Sequence, residues 1–195
     1  MKKNIFIWKQ DSQWLISLLS KNKKKIVTMY QDAFGINSPY KEDRSNSKDV
    51  ISAITSPLDN DGAAVVWMMD SAIVWVTTIY PLLIDAGKDD LIQLLCSNFD
   101  VSIEEFQNNK VMYACDTFVD KNCKRKWIWT ELYKERLQIS KNDGYKYFVW
   151  TTSSEESNMA AIAYHKKNWM QFSEKWYKIA SAYSDAIRYL MLQTL

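Results

Sequence analysis

Glycine is scarce in this chain of 195 residues: 4 are present, about a third of what the usual share of ~7% would give. A domain of this size uses glycine for helix C-caps and for turns with positive φ, so the shortage itself needs an explanation. Histidine occurs once, and the 3 cysteines (Cys96, Cys115 and Cys123) are odd in number and lack paired spacing. That argues against a disulfide framework and against the usual zinc site, and it fits a reduced, cytoplasmic setting. No metal is expected. Long hydrophobic runs are missing as well. MKKNIFIWKQDSQW holds only a short apolar run before charge returns, too short for a signal-peptide core. No later run approaches the roughly 20 apolar residues a membrane helix needs. A formal net charge of +2 leaves no strong footprint for nucleic acid or an anionic membrane. The aromatics are also not interleaved with a basic stripe, as single-strand binding would require. The basic run KNKKK, Lys21 to Lys25, reads as a solvated helix end or turn, with a phosphate-binding patch as the sharper alternative.

What is present describes an ordinary soluble chain, 47% apolar and 25% charged. It is long enough for one domain, residues 1–195, with a substantial core. No repeat, linker or composition break divides it. A short strand is expected over Asn4 to Lys9. Ser12 to Phe34 reads as helix with a polar interruption at Ser20 to Lys25, and another helix is expected around Ser47 to Thr55. AAVVWMM (63–69) and AIVWVTTIY (72–80) are strands joined by Asp70-Ser71, a two-residue hairpin loop. Two short helices fill 88–108, and a strand covers Lys110 to Val119. A helix follows from Thr130 to Ser140, stopped by Asn142-Asp143-Gly144, then a strand from Tyr145 to Thr152. Ser153-x-x-Glu156 is a capping box for a helix to about Lys167, and two final strands lie near 170–175 and 186–193. Alternating strands and helices plus an antiparallel meander indicate an α/β chain with a mixed sheet.

The segment CKRKWIWTELYKE, Cys123 to Glu135, joins a strand to a helix through a basic turn. Helix N-termini offer free backbone N–H groups and partial positive charge, and phosphates bind there. A solvated basic turn is the plain alternative. The wider stretch FVDKNCKRKWIWTELYKERL resembles the acetyl-CoA-binding motif of the GNAT N-acetyltransferase superfamily. That motif runs from a strand through Arg/Gln-x-x-Gly-x-Gly/Ala into a helix opening with Thr and Leu. Lys124 takes the Arg/Gln place, and Ile128, Thr130 and Leu132 fit. SNMAAIAYHKKNWM resembles a later family helix, in which Asn and Ala precede Tyr and Gly-Phe follows four residues on. AIVWVTTIYPLL resembles the central strands. The resemblance covers most of the chain and implies a GNAT-like acyl-CoA N-acyltransferase fold, with a central, mostly antiparallel sheet flanked by helices.

Departures from the pattern are systematic. Tryptophan stands where the family has glycine at Trp75, Trp127, Trp129 and Trp169, and Trp67, Trp150 and Trp176 are expected at strand edges or turns. With 9 tryptophans and 4 glycines, the two types fill 13 of 195 positions, close to the usual glycine share alone. A gene whose UGA codons mean glycine, translated as if they meant tryptophan, gives this pattern. As written, two indoles in the phosphate turn obstruct the close approach of phosphate to backbone.

The resemblance implies acetyl transfer from acetyl-CoA, as co-substrate, to a primary amine on a small molecule or peptide, by direct attack through a tetrahedral intermediate. The amine must lose a proton, the oxyanion needs N–H donors, and the departing thiolate needs a proton. It assigns the pantetheine and the thioester carbonyl to backbone groups of the 114–119 strand, with Thr117, Phe118 and Val119 as the cofactor-binding residues. It assigns the pyrophosphate to Lys124, Arg125, Lys126, Trp127, Ile128, Trp129 and Thr130, and further cofactor contacts to Asn158 and Ala161. Counting back four from Trp169 puts the general acid at His165, which shares a helical face with Asn158 and Ala161. The alternative is that His165 is a surface helix residue and that Tyr164, about 100° away, or water supplies the proton. Asp116 is a candidate general base, or equally a structural carboxylate. Cys115 reads as a small buried residue. Tyr40, Glu42 and Asp43 are candidate contacts to a cationic acceptor. A non-catalytic protein of the same fold, its site closed by Trp127 and Trp129, is the competing reading. The oligomeric state is open, with a homodimer as one option.

Overall fold

A computed structural model describes residues 3–9, 13–35, 47–84, 88–123, 128–153, 159–167, 171–178 and 187–195. In chain order its elements are β1 (Lys3–Trp8), α1 (Gln13–Lys21), α2 (Lys23–Phe34), α3 (Ser47–Thr55), β2 (Ala63–Met69), β3 (Ala72–Pro81), α4 (Asp89–Asn98) and α5 (Ile103–Gln107). After these come β4 (Val111–Val119), α6 (Ile128–Asn142), β5 (Tyr147–Ser153), α7 (Met159–Lys167), β6 (Gln171–Lys178) and β7 (Ile187–Thr194). Every strand and helix expected from the sequence forms, with ends displaced by a few residues. The largest change is at Asn22, where the polar interruption becomes a break between α1 and α2. There the Asn22 side-chain amide donates to the Leu18 carbonyl at 2.9 Å. Glu156, the far half of the expected capping box, lies outside the described residues.

The β2–β3 hairpin forms because both runs are β-branched or aromatic and both are buried on nearly every residue. Its loop is Asp70-Ser71, with φ of 47° and 67°, the pair of positive values that a type I′ turn requires. The seven strands lie in the order β1-β2-β3-β4-β5-β7-β6. All neighbours are antiparallel except β4 and β5. This is the mixed, mostly antiparallel sheet expected.

Side-chain alternation sends the two faces of the sheet to different helices. On one face, α1, α2 and α3 cover Ala64, Val66, Val76 and Phe118, and α4 and α5 cover Val111, Tyr113, Val149 and Leu190. On the other, α6 packs Leu132, Tyr133 and Ile139 onto Trp67, Trp75, Met112, Phe148 and Trp150. Trp67 and Trp150 therefore lie inside strands and in the core, not at the strand edges or turns expected of them. Trp176 is inside β6 and 58% exposed.

Two described turns favour glycine. A Cβ on Gly62 would stand 2.3 Å from the Ile79 carbonyl oxygen and 2.4 Å from that of Pro57. Gly144 has φ +79° and ends α6 as the sequence stop signal implies. No described tryptophan has positive φ, so at Trp67, Trp75 and Trp150 the backbone itself accepts a side chain.

Candidate active site

Strand β4 is the centre of the site, and one irregularity shapes it. Thr77 pairs with Thr117 and Ile79 with Ala114, so Thr78 of β3 faces two residues of β4, Cys115 and Asp116. This β-bulge changes the phase of the strand. Before it, Met112 and Ala114 face α6; after it, Thr117 and Val119 do. Cys115 and Asp116 both turn to the opposite side, where they line a cavity of about 300 Å³ with Ser56, Asn60 and Tyr80. Asp116 accepts a hydrogen bond from the Tyr30 hydroxyl of α2 at 3.3 Å. Desolvation, followed by the neighbouring Asp116 carboxylate, pushes the thiol of the half-buried Cys115 up, which disfavours the thiolate. Burial does the same to the Tyr80 phenol.

The far end of β4 is tied to α2. Lys25 pairs with Asp120 at 3.1 Å, the Asp120 N–H donates to the Val74 carbonyl at 2.9 Å, and the Asn122 N–H donates to Asp120 Oδ1 at 2.9 Å. The basic run thus contributes one lysine to an ion pair at the end of β4. The turn itself, Lys124, Arg125, Lys126 and Trp127, lies outside the described residues. Ile128, Trp129 and Thr130 form the first turn of α6.

Beside β4 the sheet opens. Parallel pairing with β5 runs from Val111↔Tyr147 to Ala114↔Trp150 and stops there. Beyond it, among the described residues, β4 pairs only with β3, and β5 only with β7. Arg136 of α6 lies across this opening, fully buried. Its Nη1 donates to Thr117 Oγ1 at 3.0 Å and to Thr77 Oγ1 at 3.4 Å, and the two threonines share a hydrogen bond of 2.6 Å. The guanidinium sits 4.0 Å from the centroid of the Trp150 ring, within cation–π range. Burial lowers its pKa to about 9, still charged at neutral pH.

Helix α7 covers the same place. His165, 1% exposed, packs its ring on Trp150 at 4.3 Å and on Tyr133 at 6.1 Å. Burial, and after it the charge of Arg136, lowers its pKa to about 3. The imidazole is therefore neutral at pH 7, and the imidazolium that the proton-donor expectation needs is not formed in this arrangement. Tyr164, half-buried, meets Tyr133 edge-on at 6.0 Å. Tyr133 in turn hydrogen-bonds Gln193 of β7. Ala161 is in α7; Asn158, Tyr40, Glu42, Asp43 and Trp169 lie outside the described residues.

The structure places Thr117, Tyr164 and His165 on the side of the sheet covered by α6 and α7, whereas Asp116 turns into the cavity on the other side. Arg136 was missed. Its signal was its position: Leu132, Arg136 and Ile139 are spaced i, i+4, i+7, so the arginine stands on the apolar face of its helix.

Solved structures that superpose on this chain include acetyltransferases. A ribosomal-protein-alanine N-acetyltransferase from Brucella melitensis superposes with a TM-score of 0.65 at 11% identity, covering 97% of this chain and 99% of its own. An N-acetyltransferase from Staphylococcus aureus gives 0.63 at 15% identity, covering 98% of both chains. A GNAT-superfamily phosphinothricin acetyltransferase from Sinorhizobium meliloti, solved with acetyl-CoA, gives 0.64 at 9% identity, covering 100% of this chain and 89% of its own. The fold is the GNAT-like acyltransferase fold. By sequence, residues 129–195 match the glycosyltransferase sugar-binding region containing a DXD motif. That segment holds only two aspartates, Asp143 and Asp185, and no Asp-x-Asp. No curated protein matches the chain by sequence. Among the described residues, no helix is long and apolar enough to cross a membrane.

Proposed function

We propose that this fold serves an acetyl-CoA-dependent N-acetyltransferase acting on a primary amine of a small molecule or peptide in the cytoplasm. The observation that carries this reading is the β4 bulge. It turns Asp116 into the cavity on one face, while past Ala114 the other edge of the same strand faces no described partner strand. An amine in the cavity and an acyl group at that edge would meet across a single strand. Acetyl-CoA supplies an activated acyl group when bound.

The roles of the chain's own residues follow from that geometry. Asp116 takes the proton that an ammonium must lose before it attacks. Backbone N–H groups along that edge of β4 face the developing oxyanion. Since His165 is buried and neutral, Tyr164 is the proton donor to the thiolate, and His165 packs the helix against the sheet. The residues fit the carrier only in part. The edge of β4 and the first turn of α6 offer N–H groups, but the opening between β4 and β5 is filled.

That filling favours a second reading, a non-catalytic binding or scaffold protein of the same fold. The two separate on CoA binding. CoA at about 100 times its Kd stabilises a protein by ~2.7 kcal/mol, or roughly 5–10 °C for a chain of this size. A shift of that size in the Trp127→Gly, Trp129→Gly protein, with almost none in the unsubstituted chain, supports the transferase. No shift in either supports the scaffold.

A further inference from the structure

Three buried tryptophans of the described chain, Trp67, Trp75 and Trp150, all project to the face covered by α6. Trp67 and Trp75 are paired across β2 and β3, and Trp75 is paired with Val119 at the end of β4. Trp150 stands apart from that pair, at the point where β4 and β5 part. It belongs to the last parallel pair, Ala114↔Trp150, and is 6% exposed. The Arg136 guanidinium lies on its ring at 4.0 Å and the His165 ring packs on it at 4.3 Å. Arg136 also reaches across to Thr117 on the far strand. One indole therefore holds together the groups that line both sides of the opening.

We propose that Trp150 closes the acyl end of the cofactor cleft, and that a smaller residue there opens a chamber bounded by Thr117, Arg136 and His165 for a short acyl thioester. This rests on the acetyltransferase reading of the fold and adds a third closing residue to the two in the phosphate turn, at the opposite end of the cofactor. The parting strands make a wedge whose narrow end an acyl group of a few heavy atoms would fill. Polar walls at Thr117 and Arg136 suit a thioester carbonyl, and the aromatic walls suit its methyl group. Because Trp150 and the acyl group would occupy the same volume, CoA without an acyl group is tolerated while acetyl-CoA is penalised.

The test compares affinities for CoA and acetyl-CoA by isothermal titration in two proteins. One carries Trp127→Gly and Trp129→Gly; the other adds Trp150→Gly. The first is expected to bind CoA and to bind acetyl-CoA at least tenfold more weakly. In the second that ratio closes or reverses, while the CoA affinity changes little. An unchanged ratio, with CoA bound by both, overturns the role of Trp150 and leaves the reading of the fold intact. No CoA binding by either protein overturns both. Because removing an indole from the core is disruptive, Trp150→Ala is made in the same background. If both variants fail to fold, Trp150 is an indispensable core residue and the proposal is wrong.

Discussion

His165 is the only histidine in the chain, which makes its buried state directly measurable. In the folded protein its pKa is about 3, against an ordinary 6.5. Below pH 6.5 the unfolded chain takes up a proton that the folded chain refuses. Stability is therefore full above 6.5 and falls as pH drops toward 3. At 1.36 kcal/mol per unit, the loss from this residue is about 2 kcal/mol at pH 5 and approaches roughly 4 near the bottom of the window. At pH 5 that is roughly 4–8 °C in Tm. Carboxylates also titrate there, so the quantity to measure is the difference between the unsubstituted chain and His165→Gln, from denaturant unfolding between pH 7.5 and 4. Relative to His165→Gln, the unsubstituted chain should lose stability steadily as pH falls below 6.5. The carbon-bound ring protons should show no NMR titration step near 6.5. A step there, or a flat difference curve, refutes the buried, neutral imidazole and returns His165 to candidacy as proton donor.

Other outcomes follow from the same geometry. Arg136→Met removes the second cause of the low His165 pKa but not the first, burial, so the pKa should rise without reaching 6.5. Stability should change little, because an apolar chain of similar length replaces a buried charge, whereas Arg136→Ala should cost roughly 2–4 kcal/mol in urea unfolding. Gly62→Ala should destabilise by about 1–3 kcal/mol, since its Cβ meets two backbone carbonyls that cannot step aside. In a protein with glycine at 127, 129 and 150, Asp116→Asn should lower kcat/KM by ~10²–10⁴ while acetyl-CoA affinity holds. The tryptophan codons should read UGA in the coding DNA, and protein from the native host should have the mass of glycine at those positions; UGG codons end that explanation.

The order of elements was legible because the chemistry is local. β-branched runs make β2 and β3, an Asp-Ser pair makes their turn, and Gly144 stops α6. The resemblance of FVDKNCKRKWIWTELYKERL to a cofactor turn pointed to the fold despite the missing glycines, because the strand before the turn and the helix after it survive. Two features of the site were harder to see. The bulge at Cys115-Asp116 appears in VMYACDTFV only as a change of phase, with Met112 and Ala114 on one side and then Thr117 and Val119 on that same side. The burial of Arg136 is tertiary. Its helix position shows that it faces inward, but the ring and the two hydroxyls that receive it come from β3, β4 and β5. Trp67 and Trp150 were misplaced for a related reason. Reading each as a substitute for glycine suggested turns, while the strands had room for indoles in the core.

Acetyl transfer to an amine across β4 would be read as free-thiol release from acetyl-CoA. With glycine at positions 127, 129 and 150 and a panel of small primary amines and amino-terminal peptides, thiol release should require both protein and amine and be lost with Asp116→Asn. A protein that binds acetyl-CoA tightly yet releases no thiol with any amine would contradict it, leaving the fold as a binding scaffold.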